Sequence, residues 1–101
     1  MASEQDLFIA KSIGIGLAAI LTDLMVRHVT LIGGDAEQAV RTAREGLNES
    51  LSSLEATGIT RDGDRFDESD NVRTRVAKML DFVETNVRSK LKLPPLPSKR
   101  H

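Results

Sequence analysis

The sequence predicts an all-α fold: a three-helix protomer with a long, central, hydrophobic N-terminal helix, completed as a homodimeric helical bundle and followed by an extended proline-rich tail. Three observations carry that expectation. The apolar residues are almost all aliphatic, with three Phe and neither Trp nor Tyr, which suits helix-on-helix packing better than a sandwich. Gly and Pro divide the chain into three uninterrupted stretches of helical periodicity. The first stretch is apolar around more of its circumference than two ordinary surface helices can cover.

At 101 residues the chain has room for one domain. The expected organisation is a single helical domain over residues 1–92, with helices near 3–32, 36–57 and 69–92, and a tail over 93–101. A chain of this size buries a smaller share of its surface than a larger one, so association with another copy is a common way to complete a core.

The first helix contains no Pro and stops at Gly33-Gly34, a pair suited to left-handed backbone. Leu7, Ala10, Ile13, Leu17, Ile20, Leu21, Leu24, Met25, Leu31 and Ile32 span about half its circumference at roughly 100° per residue. A second stripe of Phe8, Ile15, Ala19 and Val26 crosses the remaining face. Two partner helices are expected to cover the broad side and leave the second stripe to another copy. Gly14 and Gly16 are costly inside a helix, and with Ser12 and Ala18 they form small residues four apart that permit close helix approach. The expected self-association surface is therefore Phe8, Gly14, Ile15, Ala18, Ala19 and Val26, with the tightest crossing between Gly14 and Ala18.

The second helix opens with Asp35 as its cap and Gln38 three residues on, the spacing of a capping box, and Gly58 is its expected stop. Its apolar stripe is narrow: Ala36, Val40, Ala43, Leu47, Leu51 and Leu54. The stretch from Gly58 to Ser69 is polar and rich in turn formers, and reads as a loop. Asp67 or Ser69 is positioned to cap the third helix, whose stripe is Val72, Val76, Met79, Val83, Val87 and Leu91. Pro94 forces Leu93 out of helical geometry and ends that helix near Lys92.

Charge is unevenly distributed. From Met1 to Glu68 twelve acids face six bases, whereas from Ser69 to His101 three acids face eight bases. The two parts should attract each other, within one copy or between two. A nucleic acid is not the expected partner of Arg73, Arg75, Lys78, Arg88, Lys90, Lys92, Lys99 and Arg100. Asp70, Asp81 and Glu84 lie among them, and aromatic residues for base stacking are scarce.

Several chemistries find no support. Without Cys there is no disulfide, thiolate metal site or cysteine nucleophile. The acidic run Asp62 to Glu68 fails the helix-loop-helix calcium pattern, because Phe66 and Asp67 fall where an oxygen ligand and Gly are required. Gly14-Ile15-Gly16 follows no strand, so it is not a phosphate loop. Asp23 and Arg27, four apart, read as a helix-surface ion pair, and His28 as a packed or interfacial side chain. Neither catalysis, a cofactor nor a metal is expected.

A membrane reading is the main alternative for residues 7–32. The uncharged run from Ser12 to Thr22 is short against the roughly 20 residues of a spanning helix. Lys11, Asp23, Arg27 and His28 bound it, and Glu4 and Asp6 replace the basic flank of a secretory signal. The expected setting is the cytoplasm.

The tail supplies a short motif. Leu93, Pro94, Pro95, Leu96, Pro97 and Lys99 resemble the hydrophobic-Pro-x-hydrophobic-Pro-x-basic ligand of Src-homology-3 domains. That resemblance implies an extended segment lying in an aromatic-lined groove of another protein, with Lys99 paired to acids at its edge. The expected function is thus that of a small non-catalytic helical interaction protein acting through a homo-oligomeric surface. Membrane association and nucleic-acid binding are its alternatives.

Overall fold

The structure, a computed structural model, describes residues 3–96 and is mostly helical, with three helices and one small hairpin: α1 Glu4–Ile32, α2 Ala36–Ser52, β1 Thr57–Ile59, β2 Arg65–Asp67 and α3 Ser69–Lys90. Helix α1 starts on a reciprocal cap. The Asp6 N–H donates to Ser3 Oγ at 3.1 Å, and the Ser3 N–H donates to Asp6 Oδ2 at 3.3 Å. It stops where Gly33 and Gly34 take φ of 71° and 73°, which returns the chain as α2.

Asp35 caps α2 as expected, accepting from the Gln38 N–H at 3.3 Å. The reciprocal half of the box is missing, because the Gln38 side chain donates to Thr42 Oγ1 instead. Helix α2 also ends at Ser52, five residues before Thr57. Ser52 and Ser53 are weak helix formers, and the Ser52 hydroxyl turns back to the Glu49 carbonyl at 2.7 Å.

The segment expected to be a loop contains an antiparallel hairpin. Thr57, Gly58 and Ile59 pair with Asp67, Phe66 and Arg65 respectively. Thr57, Ile59 and Phe66 have the stiff or aromatic side chains that favour strands, and Gly63 at φ 88° closes the polar turn. Gly58 is a strand residue and not a helix stop. A Cβ there would run into the Phe66 ring, so the close approach of that ring requires glycine.

The hairpin fixes the start of α3. Asp67 Oδ1 accepts the Ser69 N–H at 2.8 Å, while buried Ser69 accepts the Ala56 N–H on its own Oγ at 2.8 Å. Of the two expected capping residues, Asp67 satisfies the first helical amide and Ser69 anchors the strand end. Helix α3 runs alongside α1 in the same sense, with Met79 beside Gly14 and Asn86 in the same cleft as Thr22. After Lys90, Lys92 takes φ 58° and the Leu93 N–H donates to the Arg88 carbonyl at 2.8 Å, which folds Leu91 and Leu93 back against the core.

The core itself is small. Ala18, Met25 and Val29 from α1 meet Val40 from α2 and Val83 and Val87 from α3, with Thr22 buried among them and bonded through its hydroxyl to the Ala18 carbonyl at 2.8 Å. Outside that core, Gly46 occupies an exposed interior position of α2 where an added Cβ meets nothing within 4 Å. Gly46→Ala should therefore stabilise the fold by up to about 1 kcal/mol, by helix propensity alone. A rise in the urea unfolding midpoint with an unchanged slope is the expected reading.

Candidate interaction surface

Four residues of α1 are buried: Ala18, Thr22, Met25 and Val29. They form one narrow row, and both α2 and α3 sit on it. Helix α2 lies beside Leu21, Met25 and His28, and α3 beside Ala18, Ala19 and Thr22, so the two companion helices flank that row. Of the broad apolar side expected to be covered, Met25 is buried and Leu21 half-buried, and the rest is bare. Leu17, Ile20 and Leu24 are each 58% exposed, Ile13 is 57% exposed and Leu31 86%.

The six residues expected to mediate self-association divide evenly. Phe8, Ile15 and Ala19 are exposed. Val26 is half-buried against the core, Ala18 belongs to the core, and Gly14 is half-buried beside the Met79 methyl group, whose carbon lies 3.5 Å from where a Cβ would be. Gly16 faces open space. Asp23 and Arg27 form no ion pair with each other among the described residues, and His28 is exposed beside α2.

Two apolar surfaces remain open. One is an open groove of about 490 Å³ between α1 and α3, floored by Gly14 and Ala18 and walled by Ile15, Met79 and Phe82. The other is the row Ile13, Leu17, Ile20, Leu24 and Leu31. Its spacing of four, three, four and seven residues was legible in the sequence as a heptad seam, but a count of apolar coverage alone does not separate it from the core-facing side.

The whole molecule is open to match. Its surface of 8186 Å² compares with about 5,700 Å² for a compact protein of its mass. Its radius of gyration is 16.6 Å, where about 13 Å is usual for this length. Residues 4–13 of α1 are exposed on every side.

Compared with known proteins, the chain matches no family model, no curated protein and no solved structure.

The charged chemistry is concentrated elsewhere, where α2 meets α3. Arg88 is 4% exposed and lies in a fork of carboxylates. It donates to Glu37 Oε1 and Oε2 at 2.8 and 2.6 Å, to Glu84 Oε2 at 3.2 Å and to the Pro94 carbonyl at 3.2 Å. Arg44 bonds the other Glu84 oxygen at 3.1 Å and pairs with Asp81 at 2.9 Å. This network joins α2, α3 and the start of the tail, and every buried polar side chain among the described residues has a partner.

The network uses residues that sequence reading assigned elsewhere. Arg88 is not free to meet a phosphate, and Arg73 is engaged by Asp70 and the Leu54 carbonyl. In the tail motif, Leu93 is half-buried and the Pro94 carbonyl is taken by Arg88, while Pro95 is exposed and Leu96 half-buried. Pro97 and Lys99 lie outside the described residues.

The Arg88 guanidinium holds the Glu37 carboxyl below its ordinary value of 4.5, and the Ser69 hydroxyl and N–H hold Asp67 below its ordinary 3.8. Both carboxyls favour the charged form more in the folded chain than in the unfolded one. Their stabilising effect is complete above the ordinary values and lost as pH falls through the lower folded values. Stability should be level near neutrality and fall below about pH 4.5. The Glu37→Gln chain should be less stable at neutral pH, with the gap closing as pH falls below the ordinary carboxyl value, as read from urea midpoints at stepped pH.

Proposed function

We propose that this chain is a non-catalytic interaction protein that works as a homo-oligomer, with the exposed side of α1 as its self-association surface. The observation that carries the reading is the bare row Ile13, Leu17, Ile20, Leu24 and Leu31 on a helix whose neighbours bury only four of its residues. Contiguous apolar surface of this kind is costly to leave in water, and each large aliphatic side chain contributes roughly 1.5–3 kcal/mol when covered. The excess over a compact monomer is about 2,500 Å² per chain, so a pair would share about 5,000 Å², at the upper end of what obligate homodimers bury between them.

A second reading is favoured by one feature. Helix α1 is 29 residues long, and its most apolar 18-residue window has a mean hydropathy of 1.8 with only 11% of it buried, which is long and apolar enough to cross a membrane. Against it, Lys11, Asp23 and Arg27 are exposed along the same helix, and each would cost about 2.5–3.5 kcal/mol near a bilayer centre.

Sedimentation of the full chain, purified without detergent, tests the first reading, with vesicle flotation in parallel. A soluble oligomer at micromolar concentration that stays off the vesicles is the expected result. A monomer, or material that floats with the vesicles, overturns it, and flotation would favour the membrane.

A further inference from the structure

We propose that α1 pairs with α1 of a second copy in an antiparallel coiled coil, through a heptad seam that runs from Asp6 to Arg27 and Leu31. This rests on the self-association reading above and specifies its geometry. Stepping alternately four and three residues along the free face of α1 visits Asp6, Ala10, Ile13, Leu17, Ile20, Leu24, Arg27 and Leu31. Those eight positions span about 38 Å of helix. All of them are exposed, and the buried row Ala18, Thr22, Met25 and Val29 lies on the opposite flank. A repeat of seven holds one face of a helix toward a partner when the two wind around each other with a left-handed twist.

The two charged positions set the direction. Asp6 near one end and Arg27 near the other interrupt an otherwise apolar seam. In a parallel pair Arg27 would face Arg27 and Asp6 would face Asp6 of the other copy, each a like-charge contact at the edge of a dry interface. In an antiparallel pair centred between Leu17 and Ile20, Arg27 lies level with Ala10 of the other copy. That is one helical turn from Asp6, within reach of its long side chain. The oppositely signed helix ends are brought together as well.

The same arrangement suits the side chains and the shape. The central layers then join a Leu of one copy to an Ile of the other, Leu17 with Ile20 and Leu24 with Ile13, while at the ends Ala10 lies level with Arg27 and Asp6 level with Leu31. The bare first third of each α1, residues 4–13, comes to lie along the part of the other copy that carries α2 and α3, where a parallel pair would leave both first thirds standing clear together.

The chain lacks Cys, so single cysteines report the direction cleanly. Ile13→Cys and Leu24→Cys alter side chains that are more than half exposed, so the fold does not depend on them. Each variant is treated alone with a short bis-maleimide, and then both are mixed after subunit exchange. The antiparallel pair predicts covalent dimers in the mixture and little in either variant alone, where like residues would be separated by about 16 Å along the axis.

Cross-linking of each variant with itself would show a parallel pair and overturn the proposal. A dimeric mass with no cross-link in any arm, repeated with Ala10→Cys and Arg27→Cys, would place the interface on another face. That overturns the proposal while leaving self-association intact. A monomer in every arm removes both.

Discussion

Replacing Arg88 by Met should destabilise the fold by about 3–5 kcal/mol, enough to lower the unfolding temperature by more than about 12 °C in a domain of this size. The reason is what the substitution leaves behind. Glu84 is 5% exposed and draws two of its contacts from Arg88 and Arg44, and Glu37 reaches the same guanidinium with both of its oxygens. Removing the base leaves the buried Glu84 carboxylate with Arg44 alone to pair it, and that under-compensated charge is the source of the cost. Arg88→Lys should recover only part of the loss, because an ammonium cannot present the planar fork that both carboxylates use. Combining Arg88→Met with Glu84→Leu should be milder than Arg88→Met alone, since the second change removes the under-compensated charge. Equal losses in the single and double variants, measured by urea unfolding, would mean that Arg88 stabilises through its packing and not through its charge.

How much of this was legible in the sequence depends on whether the signal was local. The ends of α1 and the start of α2 were readable, because Ser3, Gly33, Gly34 and Asp35 act on amides within a few residues of themselves. The hairpin was not, since three-residue strands offer too few positions for an alternating pattern to stand out from a polar turn. The bare side of α1 was misassigned for a physical reason. Apolar periodicity reports how much of a helix wants cover, but not where two neighbours with narrow stripes will sit. The buried row runs through Ala18 and Thr22, small or polar residues that a count of large apolar side chains passes over. Arg88 was read as surface base charge, because nothing local distinguishes an arginine that meets Glu37, fifty-one residues away, from one that meets water.

Ile20→Glu is expected to dissociate the assembly while leaving the protomer folded. Ile20 lies at the middle of the exposed row, makes no contribution to the buried core and is 58% exposed, so a charged side chain there is harmless in an isolated copy. In a twofold pair the same substitution occurs twice. Each copy forfeits roughly 1.5–3 kcal/mol of aliphatic burial and sets a carboxylate against Leu17 of the other copy, within a turn of that copy's own introduced carboxylate. At about 1.4 kcal/mol per tenfold change in affinity, the dimer dissociation constant should rise by at least about 100-fold. Phe8→Glu provides the comparison, because Phe8 is more exposed, at 71%, yet lies off the seam. Its effect on association should stay within a few-fold. Sedimentation equilibrium reads both constants, and far-ultraviolet circular dichroism checks that the helices persist. If Phe8→Glu dissociates the assembly and Ile20→Glu does not, the surface that matters is the stripe shared with Ile15, and the row through Ile20 is incidental.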